Sequence, residues 1–396
     1  MRRIMFVAAL LPCVLFALSL TEYEVDQSSA QVFLTGLNYH FGMTSGNVVS
    51  HFGNASVNFE KFQAKLPSSY NLNFFGNLSA NFLTGEEQAD TTDTTTDNTQ
   101  QVTYQIQWET KVNKYFISGK DFLGFAKLDG DVLTSYDYPA TRATVGIGYG
   151  RFVSATPLAR ALRIEDKMLI QGVLLDSLSL GTLMQLAREL APEARRIYKE
   201  KHYYWEREYY KSLERILNES NLLHNSELGS AGSLVISDVL DEYISPRYYG
   251  YEVELGVGFD LLPAYKVDGW AAFGSLGFDF ARPLGFRTQL IEKANVRLPF
   301  TGGKFGQEIH GSLLLSILYE VGSVFDIIGT YQMNADNRRL EEGGNYELVI
   351  HNQLIGTFDY LVVDHLVMSN SLTLNQSTDA SGLSAEVSSK ISFRFF

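Results

Sequence analysis

Side chains able to do chemistry are few and scattered in this sequence. Its seven histidines include no HExxH motif and no pair at i, i+4 ligand spacing, so a helix-borne zinc site is not expected. Cys13 is the only cysteine. Gly146, Gly148 and Gly150 form an alternating run, but a dinucleotide fingerprint needs a glycine turn that opens a helix directly after a strand. Here the glycines fall on one face of a strand, where they read as small wall residues in a crowded interior. The stretch Glu86 to Thr99 holds Glu86, Glu87, Asp90, Asp93 and Asp97. Carboxylates and hydroxyls suit calcium, but the Asp, Gly and closing Glu order of an EF-hand is missing. A solvated surface loop is expected there. No catalytic set, metal centre or cofactor is expected. The formal net charge of −13 argues against nucleic acid as a partner.

The first residues read as an address. Arg2 and Arg3 precede an apolar stretch from Ile4 to Leu18, and Ala17-Leu18-Ser19 offers a small-x-small cleavage site. Residues 1–19 are therefore expected to be a secretory signal peptide. Its removal takes Cys13, and with it any disulfide or thiol chemistry. The charge falls to about −15 as Arg2 and Arg3 leave. Past residue 20 no run of 18 apolar residues occurs, which excludes an α-helical membrane bundle. At 45% hydrophobic, the chain is too apolar to be disordered.

The elements that must position any site alternate with period two. In 248–262, Tyr251, Val253, Leu255, Val257, Phe259 and Leu261 share one face, opposite Glu252, Glu254, Gly256, Gly258 and Asp260. In 69–83, Tyr70, Leu72, Phe74 and Leu78 oppose Asn71, Asn73, Asn77 and Ser79. Residues 101–112 and 306–320 repeat the pattern. Strands of soluble sandwiches run about 5–6 residues. These run a dozen or more, and a tilted strand crossing a bilayer needs about 9–11. Aromatic residues gather near the strand ends, as interfacial girdles do.

With its leader, its alternation and the ending Ile391-Ser392-Phe393-Arg394-Phe395-Phe396, the chain resembles bacterial outer-membrane β-barrels as a class. The resemblance implies an all-β, antiparallel up-and-down transmembrane barrel in the bacterial outer membrane, surrounded by its lipid. It also implies that the insertion machinery reads the C-terminal strand ending at Phe396. The ending departs from the class pattern. Its apolar phase runs through Phe395, Phe393 and Ile391, one residue out of step with Phe396. Barrel enzymes of the class include the omptin proteases, which use Asp/His pairs at the outer rim. Asp364-His365 reads as lying deep in a strand, so no enzyme is expected.

Fourteen strands are expected, with twelve as the alternative: about six in 20–153 and about eight in 247–396. Turns are expected at 113–114, 283–284 and 357–358. Between the two barrel segments, residues 154–246 read as an α-helical periplasmic insertion. Thr156-Pro157 looks like a cap followed by proline in the first turn. Further helices are expected over 180–190, 192–218 and 234–243. Eight strands follow the insertion, which puts it on the same side as the C-terminus.

The expected pore wall comprises Glu252, Glu254, Asp260, Asp279, Arg287, Lys293, Arg297, Glu308, His310 and Glu320. If the hairpins close symmetrically, Arg297 faces Glu308, Asp279 faces Arg287, and Arg287 lies diagonal to Glu320. His351 and His365 are expected to face inward on neighbouring strands. Two functions fit. One is a porin-like channel for small hydrophilic solutes. The other is a structural or assembly barrel whose insertion binds a periplasmic protein or the cell wall.

Overall fold

The structure, a computed structural model, describes residues 27–44, 47–65, 68–83, 100–116, 121–224, 226–242, 244–262, 271–300, 309–322, 324–339, 346–363, 366–378 and 383–395. The expected signal peptide, the acidic loop, Glu308, Asp364, His365 and Phe396 lie outside them.

Among the described residues, fourteen strands form one closed antiparallel ring in chain order. They are β1 (Gln27–Thr44), β2 (Asn47–Lys65), β3 (Ser68–Leu83), β4 (Gln100–Tyr115), β5 (Phe122–Leu133), β6 (Ala140–Ser154) and β7 (Tyr248–Leu262). The second half comprises β8 (Ala271–Pro283), β9 (Thr288–Pro299), β10 (Ile309–Glu320), β11 (Phe325–Arg339), β12 (Tyr346–Val363), β13 (Leu366–Ser377) and β14 (Leu383–Phe395). The rungs Val32 with Phe395 through Thr35 with Ser392 join β1 to β14. Closure leaves no sheet edge, and only an edgeless sheet satisfies its backbone hydrogen bonds inside a membrane.

The registers fix one phase around the ring. Val145, Ile147 and Tyr149 of β6 stand beside Val257, Leu255 and Val253 of β7, and all six are exposed. The same outward phase takes in Leu276, Ile317, Leu354, Phe358 and Leu372. An apolar outer wall around a closed ring is a transmembrane surface. Leu255, Leu315 and Ile350 all fall on it. No helix among the described residues is long and apolar enough to cross a membrane.

Three strand boundaries differ from the sequence reading. The turn expected at 113–114 falls after Tyr115, where Phe116 donates its N–H to the carbonyl of Phe122. The one expected at 357–358 falls after Val363, because the outward run Phe358, Tyr360, Val362 carries β12 further. The third, between β8 and β9, is the four-residue link Leu284–Arg287, with Gly285 at φ +80°.

Between β6 and β7 lie five helices: α1 (Thr156–Ile170), α2 (Leu180–Leu190), α3 (Pro192–Lys201), α4 (Trp205–Glu219) and α5 (Gly229–Asp241). They share a hydrophobic core that includes Ile164, Met168, Leu186, Leu213, Leu217 and Ile236. Three expectations fail here. The long helix over 192–218 breaks at His202-Tyr203-Tyr204, and the two pieces fold back on each other. Tyr198 then meets Tyr209 edge-on at 5.5 Å, and Lys199 lies 4.8 Å over the Trp205 ring. The fourth helix begins at Gly229 rather than Leu234. Thr156 is inside the first turn and caps nothing. Its hydroxyl instead accepts the N–H of Arg247 at 2.9 Å, while the Ala155 N–H donates to the Arg247 carbonyl at 2.7 Å. These two bonds fasten the exits of β6 and β7 together. Burial raises the Glu165 carboxyl above the usual range, and its bond from the Leu178 N–H at 2.6 Å opposes that.

Candidate functional site

The barrel encloses a polar cavity of about 750 Å³. It is walled by β4, β5 and β7 on one side and by β8 to β12 on the other. The alternation places its charged lining. Where the odd residues of β4 and β5 face inward, they bring Glu109, Lys111 and Lys127. The even residues of β7 bring Glu254, and β8 to β10 bring Asp279, Lys293, Arg297 and His310. Asp336 and His351 complete the lining from β11 and β12.

The charges are organised as bridges across the wall. Lys111 contacts both Glu252 and Glu254, the latter at 2.6 Å, from three strands away. Glycine makes that reach open. Gly148 stands between Leu123 and Glu254 with no side chain of its own. A Cβ on neighbouring Gly146 would sit 2.2 Å from the Leu255 carbonyl and 2.6 Å from the Phe125 ring. Asn113 adds its amide to Glu252 at 3.1 Å. Lys127 pairs with Glu109 at 2.7 Å. Arg142 binds Asp129 at 2.7 Å and Asp131 at 3.4 Å, and Arg297 approaches Asp129 at 3.7 Å. His310 Nδ1 lies 2.7 Å from Asp336.

The ten residues expected on the pore wall separate into groups. Glu254, Asp279, Lys293, Arg297 and His310 line the cavity. Asp260 faces inward beside Arg142. Glu252 also faces inward but is buried under Lys111 and Asn113. Glu308 lies outside the described residues. Arg287 is a correction. It belongs to the β8–β9 link, not to a strand, and sits 3.7 Å from Asp166 of α1. Glu320 is buried where the barrel meets the helices and bonds to Arg163 and Arg247.

The expected pairings shift with the turns. Asp279 faces Lys293 rather than Arg287, because the longer link moves the register. Arg297 faces His310 rather than Glu308, since moving the centre of a hairpin by one residue moves each partner by two. Sequence reasoning also missed Glu109, Lys111, Lys127, Asp129 and Arg142. The signal was present in the alternation, which puts Glu109 on the polar face of 101–112 and Arg142 in phase with Gly146, while the strand expected after the turn at 113–114 begins only at Phe122.

No family model and no curated protein matches this sequence. Solved structures similar to it include a loop L8 deletion mutant of OmpT, an outer membrane protein of Vibrio cholerae. It is 6% identical, with 94% of this chain and 100% of that chain covered and a TM-score of 0.35. The outer membrane channel DcaP of Acinetobacter baumannii is 11% identical over 96% of this chain and 100% of its own, with a TM-score of 0.35. OccK3 of Pseudomonas aeruginosa is 10% identical over 94% and 96%, with a TM-score of 0.34. At such values the strand ladder described above, and not the likeness, carries the fold.

Proposed function

We propose that this barrel sits in a bacterial outer membrane and serves as a channel for small hydrophilic solutes, with the helical insertion in the periplasm. The observation that supports it is the charged cavity of about 750 Å³ inside a ring of fourteen strands. A barrel of that size has room for a wet lumen, since width grows with strand number. A barrel serving only as an anchor has no need of one.

The connections support this orientation. The links at the end bearing the insertion are otherwise of two to six residues: 66–67, 116–121, 284–287, 321–324 and 364–365. The opposite end carries the three longest, 84–99, 263–270 and 300–308, beside 45–46, 134–139, 340–345 and 378–382. Outer-membrane barrels keep short turns on the periplasmic side and long loops outside. The docking-platform reading draws on a different observation, the insertion's own hydrophobic core and its outward Tyr203 and Tyr204.

Planar-bilayer recording separates the two readings. Ion conductance is expected from a chain in which 156–246 is replaced by a short turn, and a smaller conductance from the full-length protein, whose insertion stands at the barrel mouth. Folded barrels of both kinds that pass no current would remove the channel reading and leave the platform.

A further inference from the structure

The insertion does not hang free below the barrel. It leaves at β6 and returns at β7, yet its contacts run round the ring. Asp166 of α1 reaches Arg287 in the β8–β9 link. Arg163 of α1 bonds Glu320 at the tip of β10 and, at 2.9 Å, Glu242 of the segment leading back to β7. Lys167 holds the same Glu242 at 3.0 Å. The Ser245 hydroxyl donates to Asp326 of β11 at 2.8 Å. On the far wall the backbone of α3 approaches that of β1, which is six strands from β7 in the ring. A body attached at β6 and β7, tied at the β8–β9 link, β10 and β11, and approaching β1 reaches across the mouth.

One carboxylate gathers most of the ties. Glu320 lies in the inward phase of β10 and is almost fully buried. It meets Arg163 from the helices and Arg247, at 2.9 Å, from the return segment, and it accepts the Ser245 N–H at 3.3 Å. Arg247 has no exposed surface. Its guanidinium also donates to the carbonyls of Ser245 at 2.8 Å, Phe286 at 3.3 Å and Arg287 at 3.4 Å. A buried charge-assisted cluster of this kind is strong while every partner is present and costly once one is lost.

We propose that the helical insertion is a built-in gate that closes the barrel mouth, and that Glu320, bridging Arg163 and Arg247, is the latch holding it shut. This rests on the channel reading for its purpose but not for its geometry. Solutes entering from the loop end would then meet a cavity whose exit opens only when the Arg163–Glu320 tie breaks.

Chemical accessibility tests the gate without relying on conductance. Leu318 faces inward on β10, two residues from Glu320. A single cysteine placed there, with Cys13 absent, is probed in proteoliposomes by a membrane-impermeant maleimide added only on the insertion side. Slow labelling is expected with the latch intact. Glu320→Gln should speed labelling several-fold, and so should Arg163→Gln, which leaves the strands untouched and serves if the first variant does not fold. Heat-modifiable gel migration checks that each barrel is folded. Equal rates in the parent and both latch variants, fast or slow, would overturn the latch. Labelling that responds while no variant conducts would keep the gate and remove the channel. Conductance with unresponsive labelling would do the reverse.

Discussion

Lys111→Met is expected to destabilise the barrel by about 3–5 kcal/mol, the cost of removing one member of a buried ion cluster. Lys111 is the only cation that contacts Glu252 or Glu254 among the described residues, and Glu252 is almost fully buried. Without the ammonium, two neighbouring inward carboxylates repel each other in a wall that water barely reaches. Unfolding in urea from lipid vesicles measures the loss. Adding Glu254→Gln should recover part of it, because one of the two charges is then gone. A Lys111→Met barrel as stable as the parent would show that these carboxylates are solvated, contrary to their burial.

The second large effect distinguishes the two faces of one strand. Leu315 points outward on β10 between Leu313 and Ile317, and Ser316 points inward, 3.1 Å from Thr330 across the rung. Leu315→Arg places a cation near the middle of the bilayer and is expected to cost about 2–4 kcal/mol. Ser316→Arg meets the wet lumen and should cost much less. The same vesicle unfolding reports both. Equal losses would contradict the inside–outside phase on which the placement of every lining residue depends.

The fold was largely legible in the sequence because long period-two alternation has few physical outcomes. A strand of twelve or more residues with one apolar face suits a closed barrel in lipid, and fourteen such stretches could be counted. The faces were legible too: Glu254 and Asp279 line the cavity as the alternation implied. Register was not legible. It depends on turn length, which propensity marks poorly, so Asp279 met Lys293 instead of Arg287. The basic side of the wall was legible only as phase: Arg142 shares the face of Gly146, Gly148 and Gly150 on β6, but alternation alone did not single out either it or Lys127 of β5 as lining residues. The insertion illustrates a further limit. Helical spacing revealed its helices, but the tie from Arg163 to Glu320 joins residues 157 positions apart, and no local pattern encodes such a contact.

Whether the lining charges lie in the path of solutes is the central matter, and the reversal potential under a salt gradient addresses it most directly. Acids and bases are balanced around the cavity itself. Beyond it, Asp129, Asp131, Asp260, Asp326, Asp359 and Glu386 add inward carboxylates against Arg142 and Lys390. A weak cation preference is therefore expected from the full-length protein. The triple variant Glu254→Gln, Asp279→Asn, Asp336→Asn should move the reversal potential toward anions. A reversal potential that stays unchanged in the folded triple variant would place these residues outside the conducting path and contradict the assignment of the cavity as the pore.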